Sequence, residues 1–339
     1  MPTSSPRARR VSMVDVARAA GVSQKTVSRV VNDEPYVTDE VRDRVQHAID
    51  TLGFRPNHAA RALVTRRSHR IGVVTMGGTT LHGPVSVLAG VEDEARRAGY
   101  ALSIVSTAPG GGREIQDAVD SLVSQGAEAI IVSEPQDFGG RLIDVPDGIE
   151  VLTFNSEPVT SSAREFLASS DEVAGAREAT RHLLGFAPRV DHICGPTNWL
   201  ASRSRIRGWR DALEAAGAEV PDPIAGDWSP RSGVAAMREL LDRGARAVFV
   251  ANDQMAIGAM SAIHDAGLRT GIDVALVGFD DLDVAEFLTP PLSSVQRDFR
   301  AVSRVGMREL LARLDGSVPG APPDPLPSRL VVRASSAPR

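Results

Sequence analysis

Cysteine is almost absent from this chain of 339 residues: Cys194 stands alone. That excludes an internal disulfide framework and any multi-cysteine zinc site. Its setting in the apolar run 190–194 reads as a small buried hydrophobe. Lysine is equally scarce, with Lys25 the only one, so arginine supplies the rest of the positive charge. No run approaches the length of a membrane span. Residues 1–10 are polar, basic and proline-containing, unlike the apolar core of a secretory signal. The expectation is a cytoplasmic protein with no membrane partner. No phosphate-binding glycine loop sits at a strand–helix turn, and Gly110 to Gly112 reads as a plain connector. His182, His192 and His264 have no partner pattern around them. An enzyme is therefore not expected, nor a cofactor or a metal site.

Length argues for two or three folding units. The net charge of −5 argues by itself against a nucleic-acid binder, but its distribution reverses that. Residues 1–70 carry 13 Arg or Lys against 7 Asp or Glu, and the remainder carries 25 against 36. A basic head on an acidic body confines the attraction for DNA to one end.

Within that head, residues 13–32 read as two short helices joined by a tight turn at Gly21. Val14, Val16 and Ala17, then Val27, Val30 and Val31, supply the apolar faces. Ser23 sits where an N-cap belongs, its hydroxyl able to accept a free amide of the second helix. Gln24, Lys25, Ser28 and Arg29 share one outward face of that helix. A rigid helix with amides and cations on its exposed face is what the DNA major groove admits. A third helix spans about 38–52, headed by Thr38 and ended by Gly53, with Val41, Val45, His47, Ala48 and Ile49 at helical spacing. Residues 1–10 read as a disordered basic arm. After Phe54, Pro56 breaks the chain and Asn57 can cap a helix of six or seven good formers, too short to be stable alone.

From residue 71 apolar runs alternate with amphipathic helices. Strands are expected at 71–76, 101–106, 129–133 and 151–154, with helices at about 85–98 and 113–125. A second series follows: helix 172–185, strand 190–194, helices 202–217 and 230–243, strand 247–250, helix 252–267 and strand 274–278. Helix 298–315 and the run 330–332 complete it. Such alternation, with continuously apolar strands, marks parallel sheets buried on both faces. Two series predict two α/β lobes with a cleft between them.

Several longer stretches then carry a resemblance: Phe54-Arg-Pro-Asn57, Leu81-His-Gly-Pro84, Gly226-Asp-Trp228, Val250-Ala-Asn-Asp-Gln-Met-Ala256, Gly258-Ala-Met260, Val277-Gly-Phe-Asp-Asp281, Pro290-Pro-Leu292 and Asp298-Phe-Arg300. With the headpiece, they resemble the LacI/GalR family of bacterial transcription regulators, over about residues 11–333. The resemblance implies a small all-α helix-turn-helix headpiece and a two-lobed α/β body like periplasmic binding proteins. The expected boundaries are 1–10 for the arm, 11–55 for the DNA-binding domain, 56–70 for the hinge helix and linker, and 71–339 for the effector-binding and dimerisation body. Lobe 1 would take about 71–169 and 298–326, and lobe 2 about 170–297 and 327–336.

In the family the positions of Gln24, Lys25 and Arg29 face base edges, and their chemistry suits direct readout of adenine and guanine. Ser12, Ser23, Thr26, Ser28 and Asn32 fit phosphate contacts and caps, which position without specifying. Asn57 and Ala60 belong to the hinge, where Ala59, Ala60 and Ala62 permit close approach of paired helices. Leu63 matches the family's minor-groove wedge; packing on the body is its rival reading. A symmetric dimer on pseudo-palindromic double-stranded operator DNA is implied.

For the cleft, the resemblance implies a small effector, with a galactoside or related glycoside first in line. Arg205 would fork onto hydroxyls, Asn252 and Asp280 follow strand ends, and Trp228 would stack on the sugar ring. Phe299 would close an apolar edge, Asn155 would reach from the first lobe and Leu81 would line the mouth. The lactose-responsive branch of the family departs at three places, carrying glutamine for Arg297, phenylalanine for Ser170 and aspartate for Asn155. The rival readings are structural. Trp228 could be core, Asn252 and Asp253 could cap the helix that begins there (for Asp253 the favoured reading), and Arg203 or Arg207 could be surface charge. A transport sugar-binding protein would lack the headpiece and carry a signal. The expected mechanism is repression relieved by effector; the alternative is a family member that binds DNA only with its effector. No heptads follow the last strand, so a homodimer is expected.

Overall fold

In a computed structural model of the chain, residues 11–31, 35–55, 67–76, 82–108, 112–133, 136–137, 139–155, 157–317 and 323–337 are described. The chain divides into two compact units, residues 1–68 and 69–339.

The first unit holds three helices. α1 (Met13–Ala20) opens on a reciprocal cap: the Ser12 hydroxyl accepts the Asp15 amide while the Asp15 carboxylate accepts the Ser12 amide. This satisfies amides that a helix start otherwise leaves open. Gly21 closes α1 at φ 62°, a left-handed turn that costs glycine nothing. α2 (Gln24–Val31) follows, with the Ser23 hydroxyl accepting the Thr26 amide at 3.0 Å. α3 (Asp39–Leu52) ends at Gly53. Val16, Ala17, Ala20, Val27, Val30, Val45, Ala48 and Phe54 form the core. Two sequence expectations need correction here. Val14 is 47% exposed and does not join that core; Met13, Val16, Ala17 and Ala20 make the inward stripe instead. His47 is exposed as well, although Thr38, Val41 and Val45 stand as read.

The second unit is built on two sheets. The first has the order β2-β1-β3-β4-β5, from β1 (Arg70–Met76), β2 (Ala101–Thr107), β3 (Ala129–Ser133), β4 (Glu150–Phe154) and β5 (Glu165–Leu167). All its pairings are parallel. α4 (His82–Arg97) and α5 (Gly112–Ser124) connect its strands. The second sheet has the order β11-β10-β9-β8-β6-β7. Its strands are β6 (Asp191–Cys194), β7 (Ile224–Ala225), β8 (Ala247–Val250), β9 (Ala275–Asp280), β10 (Ser293–Gln296) and β11 (Arg329–Val331). α6 (Glu172–Leu184), α7 (Leu200–Ala215), α8 (Pro230–Asp242) and α9 (Asp253–Asp265) accompany them. The last strand departs from the expected parallel arrangement, since β11 runs antiparallel to β10. β2 departs too: as an edge strand it leaves Ile104 49% exposed rather than buried on both faces.

α10 (Phe299–Leu314) returns to pack on α4 and β4 of the first sheet. The chain therefore crosses between sheets after β5, after β10 and before β11. Two of these crossings lie side by side: the Asp171 amide donates to the Leu326 carbonyl at 2.7 Å, and the Leu326 amide to the Ser169 carbonyl at 2.8 Å. The cleft lies beside these crossings, where the carboxyl ends of strands face it, the usual place for ligands in open α/β sheets.

Candidate functional site

In the headpiece, Gln24 and Lys25 stand exposed on the first turn of α2, with Ser28 and Arg29 half-buried a turn later. The Ser23 and Thr26 hydroxyls bond each other at 2.9 Å. Ser12 is engaged at the start of α1, its hydroxyl 2.6 Å from the Asp15 carboxylate. Asn32, Asn57, Ala60 and Leu63, with the rest of residues 56–66 and the basic arm, lie outside the described residues.

In the body, the cleft is centred on four buried charges. Arg205, in the second turn of α7, donates through Nε to Glu172 at 3.3 Å and lies 3.5 Å from Asp280. Its Nη1 also donates to the Ala251 carbonyl. Arg297, after β10, pairs with Glu172 at 2.9 Å and Asp280 at 3.4 Å. The side chains of all four are no more than 11% exposed. Two cations thus share two carboxylates, and the group is neutral as a whole. A buried charge is tolerable only when paired in this way.

Aromatic rings flank the guanidiniums. Arg205 lies 4.1 Å over Phe279 and 5.6 Å from Trp228, and Arg297 lies 4.6 Å over Phe299. Trp228 is 6% exposed, in the left-handed region at φ 72°, and its ring meets Trp199 edge-on at 5.8 Å. It is therefore both part of the core and part of the cleft wall. Asn252 caps α9, its Oδ1 accepting the Met255 amide at 2.9 Å and its Nδ2 donating to the Trp228 carbonyl at 3.1 Å. Asp253 does not take the capping role expected of it. Its carboxyl turns inward to the Leu282 amide and the Ser294 hydroxyl.

Beneath Arg297 and Phe299, the walls are Val87, Phe154, Asn155, Ala168 and Ser170, with Glu172 at the edge. The space between them is narrow, about 10 Å³, room for roughly one water. Asn155 Nδ2 and Ser170 Oγ are buried here with no hydrogen-bond partner among the described residues. Polar atoms left open in an interior carry a desolvation cost, and a polar ligand would offset it. The structure thus brings Arg205, Trp228, Asn252, Asp280, Arg297, Phe299 and Asn155 around one cleft, while Leu81 lies outside the described residues.

Glu172 escaped the sequence reading, where it was only the start of a helix. The signal for it was indirect, since an arginine placed at a strand end inside a fold needs a carboxylate within reach. A second tie across the cleft was also unread. The Asp137 amide donates to the Asn198 carbonyl at 2.7 Å, and Asn198 Nδ2 to Gln136 at 3.1 Å.

Among the described residues no helix is long and apolar enough to cross a membrane, and no cluster of three or more potential metal ligands occurs.

Comparison with known proteins accounts for both units. The family model for bacterial regulatory proteins of the lacI family matches residues 12–57, and that for a periplasmic binding protein-like domain matches residues 182–336. The lactose operon repressor of Escherichia coli (strain K12) is 32% identical over 319 residues, spanning 90% of this chain and 85% of that repressor. The HTH-type transcriptional regulator CelR of Thermobifida fusca is 33% identical over 355 residues, covering 97% and 99%. The crystal structure of the lac repressor dimer bound to operator and the anti-inducer ONPF superposes with a TM-score of 0.84 at 29% identity, covering 97% of this chain and 100% of that one. A CelR–cellobiose complex superposes with a TM-score of 0.70 at 30% identity, covering 96% and 100%. These relatives are regulators of transcription, not enzymes. The chain belongs to the lacI family of bacterial regulatory proteins and is a DNA-binding transcription regulator.

Proposed function

We propose that the chain is a homodimeric, cytoplasmic repressor that leaves its operator when an uncharged saccharide binds between the lobes of the body. Residues 11–55 read the DNA, 56–70 form the hinge, and the body senses the effector. Gln24, Lys25 and Arg29 contact bases, while Ser12, Ser23, Thr26, Ser28, Asn32 and Asn57 hold phosphates or helix starts. Leu63, with Ala60 at the helix contact, enters the minor groove.

The neutral group of Arg205, Arg297, Glu172 and Asp280 is the observation that carries the choice of effector. A phosphate or carboxylate ligand would add an uncompensated negative charge to a desolvated, already neutral site, which is costly. Sugar hydroxyls instead exchange hydrogen bonds with both guanidiniums and carboxylates, and leave the charge balance intact. Trp228 and Phe299 offer apolar faces to the ring C–H surface, and Asn155 and Ser170 offer unused polar atoms. A lactose operon repressor and a cellobiose-bound regulator among the relatives point to the same class of ligand. Asn155, Arg297 and Ser170 set the pocket apart from a plain galactoside site.

Coupling needs only that the sugar prefer one of two lobe arrangements, the other holding the hinge helices together on DNA. Fluorescence anisotropy of a dyad-symmetric duplex selected from random sequence tests this. Neutral galactosides and β-glucosides are the probes, with sugar phosphates and uronates as controls. Operator affinity is expected to fall with a neutral sugar by about 5–150-fold, the usual range of such coupling. A rise in affinity would reverse the sign of regulation, and a response only to charged sugars would overturn the choice of effector.

A further inference from the structure

Asp253 is a buried carboxyl beside the cleft that the effector reading leaves without a task. Asn252 already caps α9, so the Asp253 side chain is available for something else. It is 1% exposed. One oxygen accepts the Leu282 amide at 2.7 Å, and the other lies 2.6 Å from the Ser294 hydroxyl. Ser294 Oγ in turn accepts the Asp281 amide at 3.1 Å. The two amides that follow Asp280 are therefore both held, one directly by Asp253 and one through Ser294.

What they hold is strained. Asp280 stands at φ 98° and Asp281 at φ 51°, conformations that residues with a side chain rarely adopt. Such geometry persists only where the surroundings over-determine it, and it clusters at ligand clamps. Further ties fix the Asp281 side chain: Arg333 donates to it at 2.7 Å and Gln296 at 3.0 Å. The β9 backbone also passes so close that a Cβ on Gly278 would lie 2.1 Å from Asp253 Oδ1. The outcome of this turn is the placement of the Asp280 carboxylate against Arg205 and Arg297.

We propose that Asp253 is a positioning residue: through Leu282 and Ser294 it sets the strained Asp280–Asp281 turn and so aims Asp280 into the effector cleft. The inference rests on the cleft being the effector site, but its structural half can be read without any ligand. Burial pushes the Asp253 carboxyl up to about 8, so a neutral side chain fits the site. Asp253→Asn keeps an acceptor for Leu282 and a group that bonds Ser294. Asp253→Leu keeps the size and loses both.

Hydrogen exchange of the full chain is the ligand-free test. In D253L the amides of Asp281 and Leu282 should exchange about tenfold faster or more, with those within α9 unchanged and D253N close to wild type. The second readout is affinity for lactose, cellobiose and methyl β-D-galactopyranoside by tryptophan fluorescence. For a probe that binds wild type, D253L should lose about tenfold or more and D253N less than about threefold, with operator binding retained. If D253L does not fold, Ser294→Ala should speed exchange at Asp281 and weaken the same probe. Wild-type exchange and affinity in D253L, or in S294A if D253L is lost, would overturn the proposal. If no probe binds wild type while exchange responds as described, the effector reading has failed and the positioning role of Asp253 stands on the turn alone.

Discussion

Asp137 and Arg203 meet across the cleft, Oδ2 to Nη1 at 2.6 Å, joining the loop after β3 to the first turn of α7. The Gly140 amide and Arg203 both hold the Asp137 carboxyl below the usual carboxylate range. The pair is solvent-exposed, so its effect on global stability is small. Its place matters more, because it joins a loop of the first sheet to a helix of the second through residues that are not part of the chain crossings. Asp137→Asn is expected to leave the thermal midpoint almost unmoved while the sugar leaves several-fold faster. Stopped-flow tryptophan fluorescence measures that rate, and an unchanged rate would show that the tie does not help to retain the effector.

The neutral group of four charges predicts a marked asymmetry between single and double substitutions. Arg297→Gln leaves Glu172 and Asp280 sharing one cation in a buried site. Breaking a buried pair from one side costs about 3–5 kcal/mol, whereas removing both partners costs far less. Urea unfolding of the full chain should therefore show a large loss in R297Q and substantial recovery in the R297Q/E172Q double variant. Additive losses would mean that the two side chains do not interact.

How far this site was legible from sequence follows from the kind of residue involved. Arg205, Trp228, Asn252 and Asp280 lie in stretches with a distinctive pattern, and the structure collects them around one cleft. Glu172 carried no such mark. An acid at a helix start is ordinary, because the helix dipole favours it there; its partner Arg205 is 33 residues away and is brought close only by folding. Asp253 was misread for the same reason, since Asn252 and Asp253 offer two equally good caps and only the fold decides between them. Strands with a long apolar run, such as β3, were read residue for residue. β10 was not, because its Ser293 and Ser294 are polar yet fully buried, bonded to Ser335, Arg333 and Asp253. β5 and β7 are three and two residues long and leave no periodicity to detect. In α1, Val16 and Ala17 are core as read, but Val14 beside them is exposed, and the register of Met13, Val16, Ala17 and Ala20 settles it.

The headpiece separates recognition from stability. Gln24 and Lys25 are exposed and outside the core, so replacing either by alanine should leave folding and sugar binding intact. A lost bidentate contact costs about 1–3 kcal/mol of discrimination at one base pair. Binding selection with randomised half-sites should show relaxed preference at one position per variant. Ser23→Ala should behave differently, lowering headpiece stability by about 1 kcal/mol through the lost cap and weakening binding to all sites alike. The same relaxed preference in S23A would show that Ser23 reads sequence rather than capping α2.

His192 sets an acid limit on the body. Its ring lies flat against Phe249 at 4.7 Å and 6°, and Nδ1 bonds the Phe249 carbonyl at 2.9 Å. Burial, with a smaller push from Arg205, lowers its pKa from 6.5 to about 4. In the unfolded chain the imidazole takes up a proton as pH falls through 6.5, while in the folded chain it resists until about 4. The folded state is thus undiminished above pH 6.5 and loses ground steadily between 6.5 and 4. Linkage gives a loss of about 2 kcal/mol on going from pH 7 to pH 5. His192→Gln removes this titration and keeps a donor for the carbonyl. The variant starts less stable at pH 7 because the stacking is poorer, but its unfolding free energy should fall less steeply towards pH 5. Parallel pH profiles for wild type and variant in urea would place the acid sensitivity outside His192.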